Sequence, residues 1–408
     1  MKDPWRRLRR FRRSPRPTGR SGSRTISFAG TLRVGLIDAV EQVGEAAWRA
    51  LEPPDFPFFD YEFLDALEKS GSVGPGTGWS PVHLVCESEG RLVGIMPLYL
   101  KTDSYGEYVF DWEWAHAYHQ HGVPYYPKLV AAVPFTPATG PRILVRPDVD
   151  REAIVRTLLD AAREVGEENR ASSTHALFVP EGDLEDFQER GFAVRHSLQF
   201  HWRNRGHASF DDYLETLVSK RRRQISRERR QLAEENLTIE RLTGEALEPS
   251  HADTMYRFYM ATADRKWGSP YLNRAFFREV FSTMKDRLLF VLARDEAGRP
   301  IAGTINFYKD AALFGRHWGA VEDRRNLHFE LCYYQTIEFA IEREIKLFEA
   351  GAQGEHKLAR GFLPTLTRSA HELRHPAFRR AIERFVEEEK EYLDQAVEEY
   401  SRHDPYKK

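Results

Sequence analysis

Apolar residues recur at two different periods along this chain, and the switches between them outline its elements. Ile37, Val40, Val43, Ala47 and Leu51 share one face of a helix predicted over 37–51, which Pro53-Pro54 ends. A second helix is predicted over 58–67, stopping at Gly71. The glycine-rich run 71–78 reads as a plain loop, because no Gly-Lys-Ser/Thr follows to hold a phosphate. Strands over 82–86 and 92–100 flank a Glu89-Gly90 turn, and a third is predicted over 107–110. Residues 112–141 are aromatic, Pro-rich and aperiodic, and read as irregular. A helix over 150–165, a strand over 174–179, a short helix over 184–189 and a strand over 193–201 follow.

The order then recurs. A long charged helix is predicted over 210–235, with two more over 251–262 and 274–284. Strands at 288–293, 300–308 and 313–318, a helix at 329–342 and a strand at 346–348 come next. An acidic helix over 376–400 ends the pattern. The two hairpin turns, Glu89-Gly90-Arg91 and Glu296-Ala297-Gly298-Arg299, sit in matching contexts 208 residues apart. That offset is a domain length, so a duplicated α+β unit is predicted. Helices, an antiparallel meander, then a helix and a strand is the order of acetyltransferase-type folds.

Composition narrows the class. At 408 residues the length suits two domains, and 41% apolar with 30% charged residues suits a folded chain. No run of 18 apolar residues is present, which argues against a transmembrane helix. Cys86 and Cys332 are the only cysteines, which excludes a disulfide framework and suits a reducing compartment. A net charge of −2 hides an asymmetry: residues 1–24 hold ten Lys/Arg against Asp3, leaving −11 on the remainder. This segment has no apolar core of a secretory signal and is predicted to be disordered. A cytoplasmic location is expected, with an organelle transit peptide still open and a membrane-surface contact through the Arg-rich tail as an option.

Three stretches concentrate chemistry. Segment 103–142 is dense in Tyr, Trp, His and Pro, side chains with an apolar body and a polar tip that suit a cleft. Segment 349–362 places three glycines, Glu355, His356, Lys357 and Arg360 just past a strand end, where such folds hold ligands. Gly315-Arg316-His317-Trp318 and His328-Phe329-Glu330 lie on the neighbouring strand and helix start. Segment 220–230 carries seven positive charges against one negative: a solvated face balanced by the acidic last helix, or a contact to a phosphate-bearing substrate or tRNA. His116, His119 and His121 lack metal-ligand spacing, and no metal is expected.

These stretches together resemble one family, the FemAB-like predicted N-acyltransferases labelled peptidoglycan biosynthesis/recognition proteins. The resemblance covers roughly residues 35–375. It is carried by Ala66-Leu-Glu-Lys-Ser-Gly-Ser-Val-Gly74, Tyr105-Gly-Glu-Tyr-Val-Phe-Asp111, Tyr125-Tyr-Pro-Lys-Leu129 and Pro134-Phe-Thr-Pro-Ala-Thr-Gly140. Lys266-Trp267-Gly268, His328-Phe-Glu-Leu-Cys-Tyr-Tyr-Gln335 and Gly351-Ala-Gln-Gly-Glu-His-Lys357 complete it. The resemblance implies two tandem acetyltransferase-like domains of α+β class with mixed, largely antiparallel sheets, plus a basic helix and an acidic C-terminal helix. The expected divisions are an Arg-rich tail over 1–30, domains over 31–205 and 206–375, and the acidic helix over 376–408.

The implied reaction moves an acyl or aminoacyl group onto an amine acceptor, a cell-wall precursor being one candidate. On motif position, Glu355 or His356 is the expected base and Glu330 the next choice, with Lys357 and Arg360 on substrate phosphate or carboxylate. Tyr108, Asp111, Tyr126, Lys128 and Thr136 are assigned to the acceptor cleft, and His317 joins the substrate-binding set. No cofactor is expected to be permanently bound. The donor is expected to be an aminoacyl-tRNA or another activated acyl group, because the turn at 321–329 lacks the glycines with which acyl-CoA enzymes approach a pyrophosphate. A tRNA is therefore a candidate partner. A non-catalytic recognition module and an RNA-binding accessory protein remain as alternatives, and oligomeric state is open.

Overall fold

The computed structural model describes residues 24–27, 32–265, 270–351 and 354–407. Residues 1–23, the Lys266-Trp267-Gly268 motif and Ala352-Gln353 lie outside the described residues. The first half runs β1 (Arg24–Ser27), β2 (Leu32–Ile37), α1 (Glu45–Arg49), α2 (Tyr61–Lys69), β3 (Trp79–Pro81), β4 (His83–Ser88), β5 (Arg91–Met96) and β6 (Tyr99–Lys101). It continues with α3 (Trp112–Gln120), β7 (Lys128–Ala131), β8 (Leu144–Val145), α4 (Arg151–Glu168), β9 (Ser173–Ala176), α5 (Leu184–Gln188) and β10 (Ala193–Arg203). The second half runs α6 (Phe210–Thr216), α7 (Ser219–Ala233), β11 (Thr238–Leu242), α8 (Pro249–Arg265), α9 (Arg274–Thr283), β12 (Leu288–Arg294), β13 (Pro300–Lys309) and β14 (Ala312–Ala320). Then α10 (Leu327–Phe329) passes through a π-helical turn (Glu330–Tyr334) into α11 (Gln335–Glu342), followed by β15 (Leu347–Glu349), a 3-10 turn (Glu355–Arg360), β16 (Leu363–Leu373) and α12 (Pro376–Ser401).

The two halves repeat one plan. In each, an antiparallel hairpin (β4–β5, β12–β13) leads to a strand, a helix and a second strand parallel to the first: β7 with β9, and β14 with β15. Only these two pairs are parallel among the described strands. The halves then trade partners. β10 of the first half pairs with β15 of the second, and β16 of the second pairs with β9 of the first. β10 and β16 pair with each other along nine residues, so one sheet of eleven strands runs through both units. A smaller sheet of β1, β2, β4, β5 and β8 packs on α4. This is the expected α+β fold with mixed, largely antiparallel sheets, built of two repeated units.

Several elements differ from expectation for identifiable reasons. The apolar stripe at 37–51 is not one helix: Ile37 ends β2, Val40 lies in a 3-10 turn, and Gly44 at φ 85° separates that turn from α1. No strand forms over 107–110, where Tyr108 takes φ 61°. The aperiodic segment after it holds α3, which buries only Trp114 and Tyr118, four residues apart, and so shows no full amphipathic stripe. The predicted helix over 210–235 breaks at Leu217-Val218, because Val218 N–H binds Pro405 O at 2.8 Å and Leu217 bridges to Tyr406. The acidic α12 does not balance α7. It packs on β10 and β16 and pairs Glu389 with Arg195, while α7 pairs Arg222 with Glu215 and Arg229 with Glu330 and Glu338. Among the described residues no helix is long and apolar enough to cross a membrane.

Candidate active site

The second parallel pair is short. β14 and β15 pair only from Ala312 to Phe314 against Leu347 to Glu349, and β10 flanks β15 only over the same stretch. Beyond it the strands part. On β14, Gly315 faces Asn306 and His317 faces Ile305, so Arg316 is an extra residue with no partner across the ladder. Such a bulge bends a strand and re-aims its side chain. Gly315, Arg316, His317 and Trp318 are all only half-buried, although they lie mid-strand in a large sheet and their flanking residues are buried. Ala350 and Gly351, across the gap, are half-buried too. This half-buried stretch between the two strand ends is the candidate crevice.

Glu349 stands where the crevice begins. It is buried, and its Oε2 accepts the Thr139 N–H at 3.3 Å. Burial pushes its carboxyl up to about 8, and the Thr139 N–H with the charges of Arg142, Arg316 and Arg203 only partly opposes this. His201, its partner on β10, is held neutral by burial and by Arg203 and Lys357, with its ring pushed down to about 3. A carboxyl poised near 8 can exchange a proton with an amine at working pH.

The first unit supplies the facing wall. Arg316 donates to Phe135 O and to the Tyr108 phenol. Tyr108 and Phe135 both take left-handed backbone angles, φ 61° and 59°. Gly106 makes room for the Phe135 ring, which a Cβ there would meet at 2.5 Å. Tyr271 stacks on Phe135 with ring centres 5.0 Å apart, and His317 meets Tyr259 edge-on at 5.1 Å. His317 is neutral, its ring pushed down to about 3 by burial and by Arg316. The Thr136 hydroxyl is engaged by Pro134 O at 3.1 Å.

Asp111, Tyr126 and Lys128 come together elsewhere, in a sealed network at the starts of β7 and β9. Lys128 is fully buried and donates to Glu107 and Ser104, each at 2.8 Å, and to Asp111. Ser104 also meets the Tyr126 hydroxyl at 2.8 Å, and Tyr125 donates to Asp111 at 2.6 Å. Ser173 and His371 hold the two nitrogens of His175, each at 2.7 Å. Two carboxyls share one ammonium. Burial raises Glu107 to about 7, while Lys128 overrides burial at Asp111 and holds it at about 2. Glu107 Oε1 and Asp111 Oδ1 are both buried without partners, and Glu107, raised where Asp111 is lowered, takes a proton first.

The expected catalytic residues fall in three settings. Glu355 is exposed and accepts from the Tyr400 hydroxyl of α12 at 2.5 Å. Glu330 is buried against α7 and α11, accepting from Arg229 at 3.0 Å and Gln335 at 2.7 Å. His356 lies nearer the crevice. Its Nε2 meets the Tyr333 hydroxyl at 2.8 Å, and its ring lies 6.0 Å from His328, which in turn meets the crevice residue Trp318 at 5.2 Å. Gly354, at φ 115°, lets that ring fold back, since a Cβ would come within 2.5 Å of it. Lys357 is buried and donates to Gly351 O at 2.7 Å, and burial lowers its ammonium to about 8. Arg360 is locked by Glu228 and the Tyr334 hydroxyl, both at 2.9 Å, and by His356 O at 2.8 Å, with Phe329 against its flat face. It holds the turn in shape.

Sequence reasoning passed over Glu349, Arg316, Glu107, Tyr125, His175 and His371 as site residues. The signal for Glu349 was present: an acidic residue ending the apolar run Leu347-Phe348 and followed by Ala350-Gly351. Among the described residues no group of three or more His, Cys, Asp or Glu is arranged to hold a metal ion.

Solved structures share this fold at low sequence identity. One is the C-terminal domain (DUF2156) of a putative lysylphosphatidylglycerol synthetase from Agrobacterium fabrum, at 10% identity and TM-score 0.53, covering 85% of this chain and 95% of that one. Another is a conserved protein of unknown function from Bacteroides thetaiotaomicron VPI-5482, at 11% identity and TM-score 0.50, covering 82% and 98%. The chain is also similar to FemX, at 12% identity and TM-score 0.49, covering 79% and 93%. No curated protein matches the sequence. A family profile described as peptidoglycan biosynthesis/recognition matches residues 39–408, almost the whole described chain, and the protein belongs to this FemAB-like family.

Proposed function

We propose that the protein transfers an acyl or aminoacyl group to an amine acceptor of the cell-wall precursor class, with the reaction in the crevice beyond β14 and β15. The observation that carries this reading is Glu349, a buried carboxyl raised to about 8 at the mouth of a half-buried crevice. The attacking amine must lose a proton, and Glu349 accepts it in its ionised form, which predominates only above about pH 8. Arg316, with donors beyond those given to Phe135 O and Tyr108, faces the negative charge that develops on the carbonyl oxygen. His356 and Lys357 bind the donor or acceptor at the far lip, Lys357 as a cation for phosphate or carboxylate. Glu355 and Glu330, held by Tyr400 and Arg229, support the turn and α7.

Two features favour an aminoacyl-tRNA over acyl-CoA. The start of α10 is acidic, with Glu322 and Asp323 beside it, Arg324 paired to Glu322 at 2.8 Å, and a buried Leu327 where a pyrophosphate would need close backbone approach. On α7, Lys220, Arg223, Arg227 and Arg230 are all exposed at spacings of three and four, so one helical face presents four cations to a phosphate chain. The test is calorimetric titration with acetyl-CoA, aminoacyl-tRNA and uncharged tRNA, followed by single-turnover transfer with Glu349→Gln. Preference for charged tRNA, with transfer lost in the variant, is the expected result. Saturable acetyl-CoA binding overturns the donor. Undiminished transfer by Glu349→Gln overturns the proton acceptor.

A further inference from the structure

Most of the exposed large apolar side chains gather in one place, away from the crevice. Phe110, Trp112 and Tyr392 are 57%, 42% and 72% exposed and line one groove of about 620 Å³ between the start of α3 and the middle of α12. Tyr105, 61% exposed, meets Trp112 edge-on at 5.2 Å beside it. Water-facing aromatics clustered on this scale mark an interaction surface. On α12 the contributors Phe385, Glu388, Glu389 and Tyr392 follow a spacing of three, four and seven, so they share one face.

The groove already shows how it takes a guanidinium. Arg195 lies in it with both ends of its fork on Glu389, at 2.7 and 2.8 Å, and a third N–H on Phe110 O at 2.7 Å. Its flat face rests 5.0 Å from the Trp114 ring centre. Carboxylate fork, backbone carbonyl and aromatic face are the contacts arginine favours. The rest of the groove repeats two of these without a cation. Glu113 and Glu388 are exposed and have no ion-pair partner among the described residues, and Trp112 and Tyr392 offer free faces beside them. Counting Arg195, the groove carries three carboxylates against one cation. The floor residue Trp114 is nine-tenths buried, yet its Nε1–H has no acceptor, which suits a ligand that brings carbonyl oxygens as a peptide does.

We propose that this groove docks an arginine-bearing peptide segment, and that the segment is residues 1–23 of this same chain. That stretch holds nine Lys/Arg, and Trp5, Leu8 and Phe11 recur every third residue between arginine pairs. Its side chains match the groove: guanidinium groups for Glu113 and Glu388, apolar ones for the aromatic faces. Twenty extended residues before β1 reach about 70 Å, beyond the radius of a folded chain this size, so distance does not prevent the contact. The site is independent of acyl transfer and stands whether or not the crevice is catalytic.

The experiment is calorimetric titration of a synthetic peptide of residues 1–23 at 150 mM salt. The protein is the full-length chain carrying Arg6→Ala, Arg7→Ala, Arg9→Ala, Arg10→Ala, Arg12→Ala and Arg13→Ala, so that its own segment does not compete. Saturable binding to one site is expected, weakened about fivefold or more by Trp112→Ala and by Glu388→Gln, both exposed residues. The chain with its arginines intact is expected to bind the free peptide at least about fivefold more weakly, because its own segment holds the groove. Binding that never saturates, or that neither groove variant weakens, reduces the effect to general attraction between opposite charges and overturns the site. Equal affinity with and without the chain's own arginines overturns its own segment as the occupant.

Discussion

The two parallel strand pairs began from the same plan and ended differently. In the second unit the strands part after Phe314 and Glu349, and four successive residues of β14 keep contact with solvent. In the first unit the corresponding gap beyond Ala131 and Ala176 is filled. Residues 129–138 are all buried, and Arg142 is pushed fully inside, donating to Leu177 O, to Ala138 O at 2.7 Å and to Pro141 O at 3.0 Å. Gly140 N–H binds Phe178 O at 3.1 Å, closing the segment over the gap. Parted strands leave backbone groups that need partners. One unit satisfies them with a buried guanidinium and its own loop, and the other keeps four half-buried residues there. On the proposed function, duplication thus yields one frame and one working crevice.

Four experiments can break or sharpen this contrast. The largest effect is expected from Glu349→Gln, which should lower kcat/KM about 10²–10⁴-fold while leaving the fold intact, as read by single-turnover transfer and circular dichroism. An unchanged rate moves the reaction out of the crevice. Next, Arg142→Leu strips three carbonyls of their donor, two of them buried, and should lower stability by about 3 kcal/mol, read from urea melts. Activity per folded molecule should persist. If it disappears at full stability, the first unit's gap is more than a filled space.

The third experiment uses pH. Glu349 in the folded chain titrates near 8, above its unfolded value of about 4.5. Its protonated form is the one that folding favours, so its contribution is complete below the unfolded value and is lost as pH rises through about 8. Glu349→Gln should therefore be more stable than the parent at pH 9 and equal to it at pH 4, as read from urea melts at the two pH values. The smallest effect is expected from Arg223→Ala with Arg227→Ala. The pair should weaken tRNA binding several-fold and reduce the log–log salt slope by about 1.5, measured by filter binding across a salt series.

Much of the frame was legible. The two hairpins, α2, α4, α9 and α12 follow from apolar period and turn residues, and the duplication follows from their order. What escaped has a common cause. β2, β11 and β16 went unpredicted because their partners lie far along the chain: β16 exists as a strand through β10 and β9, some 160 to 200 residues earlier. The break between α6 and α7 is imposed by the last residues of the chain, not by those at the break. The chemistry divided in the same way. Tyr108, His317, His356 and Lys357, chosen from motif position, reached the crevice region, whereas Asp111, Tyr126 and Lys128 formed a separate sealed network.

The sequence by itself determined the fold class, the family, the charge asymmetry and the stretches where chemistry gathers, because local period, turn residues and composition act over a few positions. Only the tertiary structure decided which gap is open, which carboxyl is raised and which arginine is structural. Those outcomes depend on burial and on partners brought together by the exchange of β10 and β16. Glu349 and Glu355 are six positions apart and equally acidic as residues. One is shut in by Thr139 and the arginines of both units, and the other sits in water against Tyr400. Burial, which no single stretch of chain controls, separates their surroundings.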